Sequence, residues 1–160
     1  MNYGRWIVVS CVAVVILGGG VAASQFSLSA LPEPGRAETL LATKAKHLYV
    51  RSASRSLTMP ESGDVQASLQ EGDKLFGTEC SECHGFTGRK PTDAGRWMYP
   101  RAEDLGSAGV QQYSDRELFW IVKNGIRLSG MPAFGRVESD EHISSLVRYL
   151  RTLPSKEPPR

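Results

Sequence analysis

The chain begins with an uninterrupted apolar run: residues 6–23 carry no charge, and residues 7–17 form its densest part. That part has the length of a signal-peptide core, while the whole run is just long enough to span a bilayer. With Arg5 in front of it, either reading sends the downstream chain out of the cytoplasm. Val21, Ala22 and Ala23 suit a cleavage site before Ser24. Residues 36–56 switch to helical spacing, with Leu40, Leu41, Ala45, Leu48 and Tyr49 on one side and Lys44, Lys46, Arg51 and Arg55 on the other. This predicts a basic amphipathic helix lying on the following domain or near a membrane surface, with His47 as a surface residue. A third pattern joins Leu69, Gly72, Leu75 and Phe76, opened by the capping-box pair Ser68 and Glu71. Leu118, Phe119, Ile121 and Val122 repeat it between the capping pair Ser114 and Glu117 and a terminating Gly125. The last helix starts at Ser139 and carries Ile143, Leu146, Val147, Leu150 and Leu153 on one face. Asp140 and Glu141 complement its positive end, Arg148 and Arg151 its negative end, and Pro154 stops it.

The intervening segments lack either period. Residues 24–36 are a linker stiffened by Pro32 and Pro34, and residues 58–64 form a second loop. Residues 85–109 are rich in glycine, proline and charge, yet Trp97, Tyr99 and Leu105 ask for burial, so an ordered wrapping loop is expected. No strand is expected. Gly72 predicts a close crossing with the last helix, where Tyr149 is the candidate to fill the notch. The layout is therefore all-α: residues 1–24 a membrane anchor or signal segment, 25–67 a linker with the basic helix, 68–155 the compact domain, and 156–160 a tail.

The net charge of +2 offers no case for nucleic acid as a partner. Of the three cysteines, Cys11 lies in the apolar run, so a disulfide framework is not indicated. The other two form Cys80-Ser81-Glu82-Cys83-His84, the pattern for covalent haem attachment. Each thiol would form a thioether to a haem vinyl group, and His84 would bind the iron. A thioredoxin-type disulfide expects a βαβ setting, and a zinc knuckle expects two further ligands nearby; the flanking sequence offers neither. A domain of roughly 90 residues is small for apolar burial alone, and haem would enlarge its core. For the second iron ligand the candidates are Met59, Met98, Met131, His47 and His142. Met131 is the best placed, between two helices and flanked by Gly130, which permits close approach, and Pro132, which fixes the chain direction. Met98 suits the haem edge, and His142 an exposed first turn. Arg96, Trp97, Tyr99, Arg101, Trp120 and Asn124 are polar candidates for the haem propionates, and Lys74, Arg89, Lys90 and Arg127 for a charged rim. Imidazole plus thioether suits reversible one-electron exchange and leaves oxygen or peroxide no easy entry.

These signposts resemble the class I cytochromes c: the haem motif with Gly85, the preceding Gly72 and Phe76, and Gly130-Met131-Pro132. Residues 119–134 are similar to the single-haem bacterial cytochromes of the mono- and dihaem type. The resemblance covers about residues 68–154. It implies a cytochrome c fold with crossing N- and C-terminal helices and one covalent haem c, attached through Cys80 and Cys83 and ligated by His84 and Met131. It implies loading outside the cytoplasm, on the periplasmic side of the inner membrane, with residues 1–24 as a single-pass anchor or, alternatively, removed to leave a soluble protein. The expected function is electron transfer without catalysis, to or from a membrane oxidase, a quinol-oxidising complex or a periplasmic dehydrogenase. A haem sensor or peroxidase-like enzyme with a labile Met131, and an obligate subunit of a dehydrogenase or oxidase, are the alternatives.

Overall fold

The computed structural model describes residues 3–24, 29–61 and 63–153. It divides into two compact units, Met1–Pro32 and Glu33–Arg160. In the first, helix α1 (Tyr3–Ser24) is long and apolar enough to cross a membrane, by length and composition. Its large side chains, Trp6, Ile7 and Leu17 among them, are exposed. The side chains at the expected cleavage site, linker residues 25–28, Pro154 and the tail lie outside the described residues.

The second unit is built on two crossing helices. The apolar stripe of α8 (Asp140–Leu150) places Ile143, Leu146, Val147 and Leu150 in the core, and the Ser139 hydroxyl caps its start by accepting from the His142 N–H. Across it runs α3 (Val65–Leu75), whose buried face includes Gly72 and Leu75 and continues into Phe76. Gly72 is where the two backbones meet. A Cβ there would lie 2.8 Å from the Ser145 carbonyl carbon and 2.8 Å from Tyr149 Cβ. Tyr149 fills the notch as expected, its ring 5.3 Å from that of Phe76.

The start of α3 differs from the expectation. Asp64, not Ser68, is the cap, accepting from the Ala67 N–H at 3.0 Å. Ser68 lies one turn inside the helix and is buried; its hydroxyl donates to Ser145 Oγ and accepts from Arg148, each at 3.0 Å. The crossing helix competes for that hydroxyl, and the capping box does not form. Helix α7 (Asp115–Asn124) matches its pattern closely: Ser114 and Glu117 cap it reciprocally, Gly125 ends it at φ 65°, and Leu118, Phe119 and Val122 are buried.

Helix α2 (Arg36–Ala53) forms where its period predicts, but a different face packs on the domain. Leu40, Leu41, Leu48 and Tyr49 point outward, while Val50 and Ser54 are buried and Lys46 and His47 half-buried. The domain surface under α2 presents Glu103 and Tyr113; Lys46 pairs with the first and His47 stacks on the second at 4.1 Å. His47 is thus a packing residue, not an ordinary surface histidine. The wrapping loop contains two short helices of its own, α5 (Asp93–Trp97) and α6 (Ala108–Gln111), with α4 (Ser81–His84) before them. Trp97, expected inside, is 78% exposed. No strand occurs among the described residues.

Candidate functional site

Between α3 and α4 the chain makes one wider, π-helical turn, Phe76–Cys80, closed by a bond from the Ser81 N–H to the Phe76 carbonyl. The Ser81 hydroxyl donates to the Gly77 carbonyl at 2.7 Å, and the Cys83 carbonyl accepts from the Thr92 N–H at 3.1 Å. This short, braced segment brings Cys80, Cys83 and His84 together along one cleft.

Met131 reaches the same cleft from the loop after α7. Its backbone is pinned at both ends of the peptide: its N–H donates to Ser129 Oγ at 3.2 Å, and its carbonyl accepts from the Ile126 N–H at 3.3 Å. A Cβ on Gly130 would run into the side chain of Met98, which also lines the cleft. A glycine is needed there so that the Met131 loop and Met98 can share the space.

The electrostatics distinguish the two kinds of donor. His84 Nδ1 lies 2.9 Å from the Glu103 carbonyl, which can only accept, so Nδ1 carries the proton and the Nε2 lone pair is free for a metal. Burial lowers the His84 pKa and keeps the ring neutral. Cys80 moves the other way: burial, then Glu79 and Cys83, push its thiol up to about 12. A redox or zinc cysteine needs a stabilised thiolate, and this environment disfavours one. Among the described residues no group of three or more His, Cys, Asp and Glu side chains is placed to hold a metal ion.

The cleft encloses about 1170 Å³ of space, part of it open solvent. Leu105, Val110, Leu118, Val122, Leu146 and Leu150 make it apolar, and the charged residues at its edge are Lys46 and Arg101 with Glu79 and Glu103. Tyr113 also lines it and is 4% exposed; its hydroxyl has no hydrogen-bond partner among the described residues. A buried hydroxyl without a partner is costly, and it points to an acceptor within the cleft. Two thiols, a free imidazole nitrogen, a thioether, apolar walls and an orphaned donor fit a covalently held haem with anionic propionates.

Of the propionate candidates, Arg101 alone lines the cleft. Arg96 and Trp97 are exposed, Tyr99 bonds to Glu38, Trp120 meets Tyr49 edge-on at 5.6 Å, and Asn124 bonds to the Trp120 carbonyl. Arg89 is no rim charge, since its Nε donates to Asp104 at 2.7 Å. His142 is exposed and paired with Glu138, and Met59 packs against the core. Sequence reading missed Tyr113 and the cleft position of Lys46. For Tyr113 the available signal was its place directly before the Ser114 cap and three residues after Val110, which prolongs an inward stripe.

Comparison with known proteins converges on this domain. The family model described as cytochrome C oxidase, cbb3-type, subunit III matches residues 67–150, more than half of the chain. The fructose dehydrogenase cytochrome subunit of Gluconobacter japonicus is 32% identical over 40% of this chain, which spans 15% of that relative's length. A chain of the reducing HAO-like protein complex of Kuenenia stuttgartiensis shares the fold, with a TM-score of 0.50 and 20% identity over 61% of this chain and 52% of that one.

Proposed function

Since the chain belongs to the cytochrome c oxidase, cbb3-type, subunit III family of c-type cytochrome domains, we propose that it is a one-electron carrier using a single covalent haem c. Cys80 and Cys83 would hold the haem, and His84 and Met131 would ligate its iron. Bound there, haem supplies an iron that exchanges one electron between its ferric and ferrous states. The observation that carries the reading is the meeting of all four residues, from two separate parts of the chain, in one apolar cleft.

The chain's own groups each have a task. The Glu103 carbonyl fixes the His84 tautomer and ring direction. Ser129 and Ile126 hold the Met131 backbone, so that its soft sulfur favours ferrous iron and a raised potential. Tyr113 would donate its buried hydroxyl to a propionate, and the apolar walls would exclude water. With His84 and Met131 both given to the iron, the domain would move electrons and would need no catalytic site of its own.

In this reading residues 1–24 stay as a single-pass anchor, residues 25–67 form an arm, and residues 68–155 carry the haem on the periplasmic side. The partners are redox enzymes: a dehydrogenase that supplies electrons, or an oxidase or quinol-oxidising complex that exchanges them. The relative from Gluconobacter, a cytochrome subunit of a dehydrogenase, favours the role of a subunit over that of a free shuttle.

Mass spectrometry and optical spectra of the full-length protein test the assignment. One covalent haem is expected, low-spin in both redox states, with a methionine–iron charge-transfer band when oxidised. Met131→Ala should abolish that band and open the iron to carbon monoxide. High-spin iron in the native protein at neutral pH would overturn it.

A further inference from the structure

The segment between α5 and α6 is gripped from outside by residues that precede the matched family region. Tyr99 donates its hydroxyl to Glu38 at 2.5 Å, Arg101 pairs with Glu33 at 2.8 Å, and Glu103 pairs with Lys46 at 2.5 Å. Every second residue faces the N-terminal arm, as successive residues of an extended segment point to opposite sides. Pro100 and Ala102, between them, line the cleft, and so do Arg101 and Glu103, which reach both the cleft and the arm. Glu103 carries the connection furthest. Its carboxylate binds Lys46, and its backbone carbonyl accepts from His84 Nδ1 at 2.9 Å. Helix α2 therefore reaches the imidazole through a single residue.

We propose that Lys46 is a positioning residue for His84: by holding Glu103 it fixes the carbonyl that orients the imidazole, and α2 thereby tunes the potential of the iron. This rests on the haem reading given above. A histidine ligand is steered by whatever its second ring nitrogen bonds, so a carbonyl that moves changes ring rotation and ligand strength. Without Lys46 the Glu103 side chain, already 49% exposed, turns toward water and its backbone follows. The lysine and carboxylate also act by charge. The cation favours ferrous iron and the anion ferric iron, and because both side chains touch solvent, salt weakens this part of the effect. The second grip of α2, the stacking of His47 on Tyr113, leaves the Lys46–Glu103 pair as the direct route to His84.

The test uses the full-length, haem-loaded protein and its Lys46→Met, Glu103→Gln, Lys46→Arg and Tyr99→Phe variants. Reduction potentials are measured by voltammetry, and the His84 ring protons by paramagnetic NMR. Charge alone predicts that the potential falls in Lys46→Met and rises in Glu103→Gln. Positioning predicts that the His84 ring resonances move in the same direction in both. Lys46→Arg should restore the wild-type resonances. Tyr99→Phe, which cuts a different bond of the arm, should lower the melting temperature and leave the resonances in place. Unmoved His84 resonances in Lys46→Met, or equal movement in Tyr99→Phe, would overturn the proposal and leave the arm a structural brace. Failure of the haem reading is separate: the unmodified protein itself would then lack covalent haem or a histidine-ligated iron.

Discussion

Gly72→Ala is the most demanding test of how the domain is held together. The added methyl would meet two immovable neighbours, the Ser145 carbonyl carbon and Tyr149 Cβ, each at 2.8 Å, with the Ser145 oxygen closer still. Carbon atoms in good contact sit about 3.5–4.0 Å apart, so α3 and α8 must separate by nearly 1 Å along their crossing. Overpacking of this kind costs roughly 1–3 kcal/mol. Backbone on the other side puts Gly72 at the upper end, about 3 kcal/mol. Alanine returns about 1 kcal/mol of helix propensity, which leaves a net loss of about 2 kcal/mol. For a domain of this size that is a drop of roughly 10 °C in melting temperature. Denaturant unfolding of the haem-loaded protein, followed by circular dichroism, gives the number. Gly77→Ala is the control, because nothing lies within 4 Å of a Cβ at Gly77. Truncating Tyr149 to alanine should not rescue Gly72→Ala, since the Ser145 carbonyl and the Cβ at position 149 both remain. A Gly72→Ala protein within about 0.5 kcal/mol of wild type would refute the close-crossing argument.

Tyr113→Phe removes the hydroxyl that lacks a partner among the described residues, and should shift the reduction potential in voltammetry while the low-spin optical spectrum persists. Arg151→Ala removes one guanidinium that bonds Asp115, the Gln111 carbonyl and side chain, and the Tyr113 carbonyl; a loss of about 2 kcal/mol in denaturant unfolding is expected. Leu128 holds φ 63° while 90% exposed, so Leu128→Gly should relieve backbone strain of about 1 kcal/mol without losing packing, and should raise the melting temperature slightly. Burial pushes the Glu117 carboxyl up, but the bonds from Ser114 more than reverse this and leave its pKa lowered. Its stabilisation is therefore present above the ordinary glutamate range and is lost as pH falls below it. The stability difference between wild type and Glu117→Gln should shrink on acidification, as followed by thermal melts across that pH range.

Much of the fold was legible because its signals are local. The capping pair at Ser114 and Glu117 and the apolar period set the bounds of α7, Ser139 and the apolar period the start of α8, and the notch at Gly72 announced a crossing helix. The capping box at Ser68 misled for a nonlocal reason: the same hydroxyl serves Ser145 and Arg148, far along the chain, better than it serves its own helix. The four candidate haem residues were proposed from spacing and flanking residues, and the fold brings their side chains to one cleft. Tyr113 was not, because an orphaned hydroxyl becomes visible only when the surrounding cleft is built.

By itself the sequence determined the helical architecture, the Cys80-to-His84 motif and the apolar N-terminal run, all carried by residues within a few turns of one another. The tertiary structure alone decided which face of α2 is buried. Hydrophobic period favoured Leu40, Leu41 and Leu48, yet Lys46, His47 and Val50 face the domain. The surface beneath them offers a carboxylate and an aromatic ring, brought there by the folding of a loop that no local period encodes. A helix buries the side that its neighbour can satisfy, and the neighbour exists only once the chain has folded.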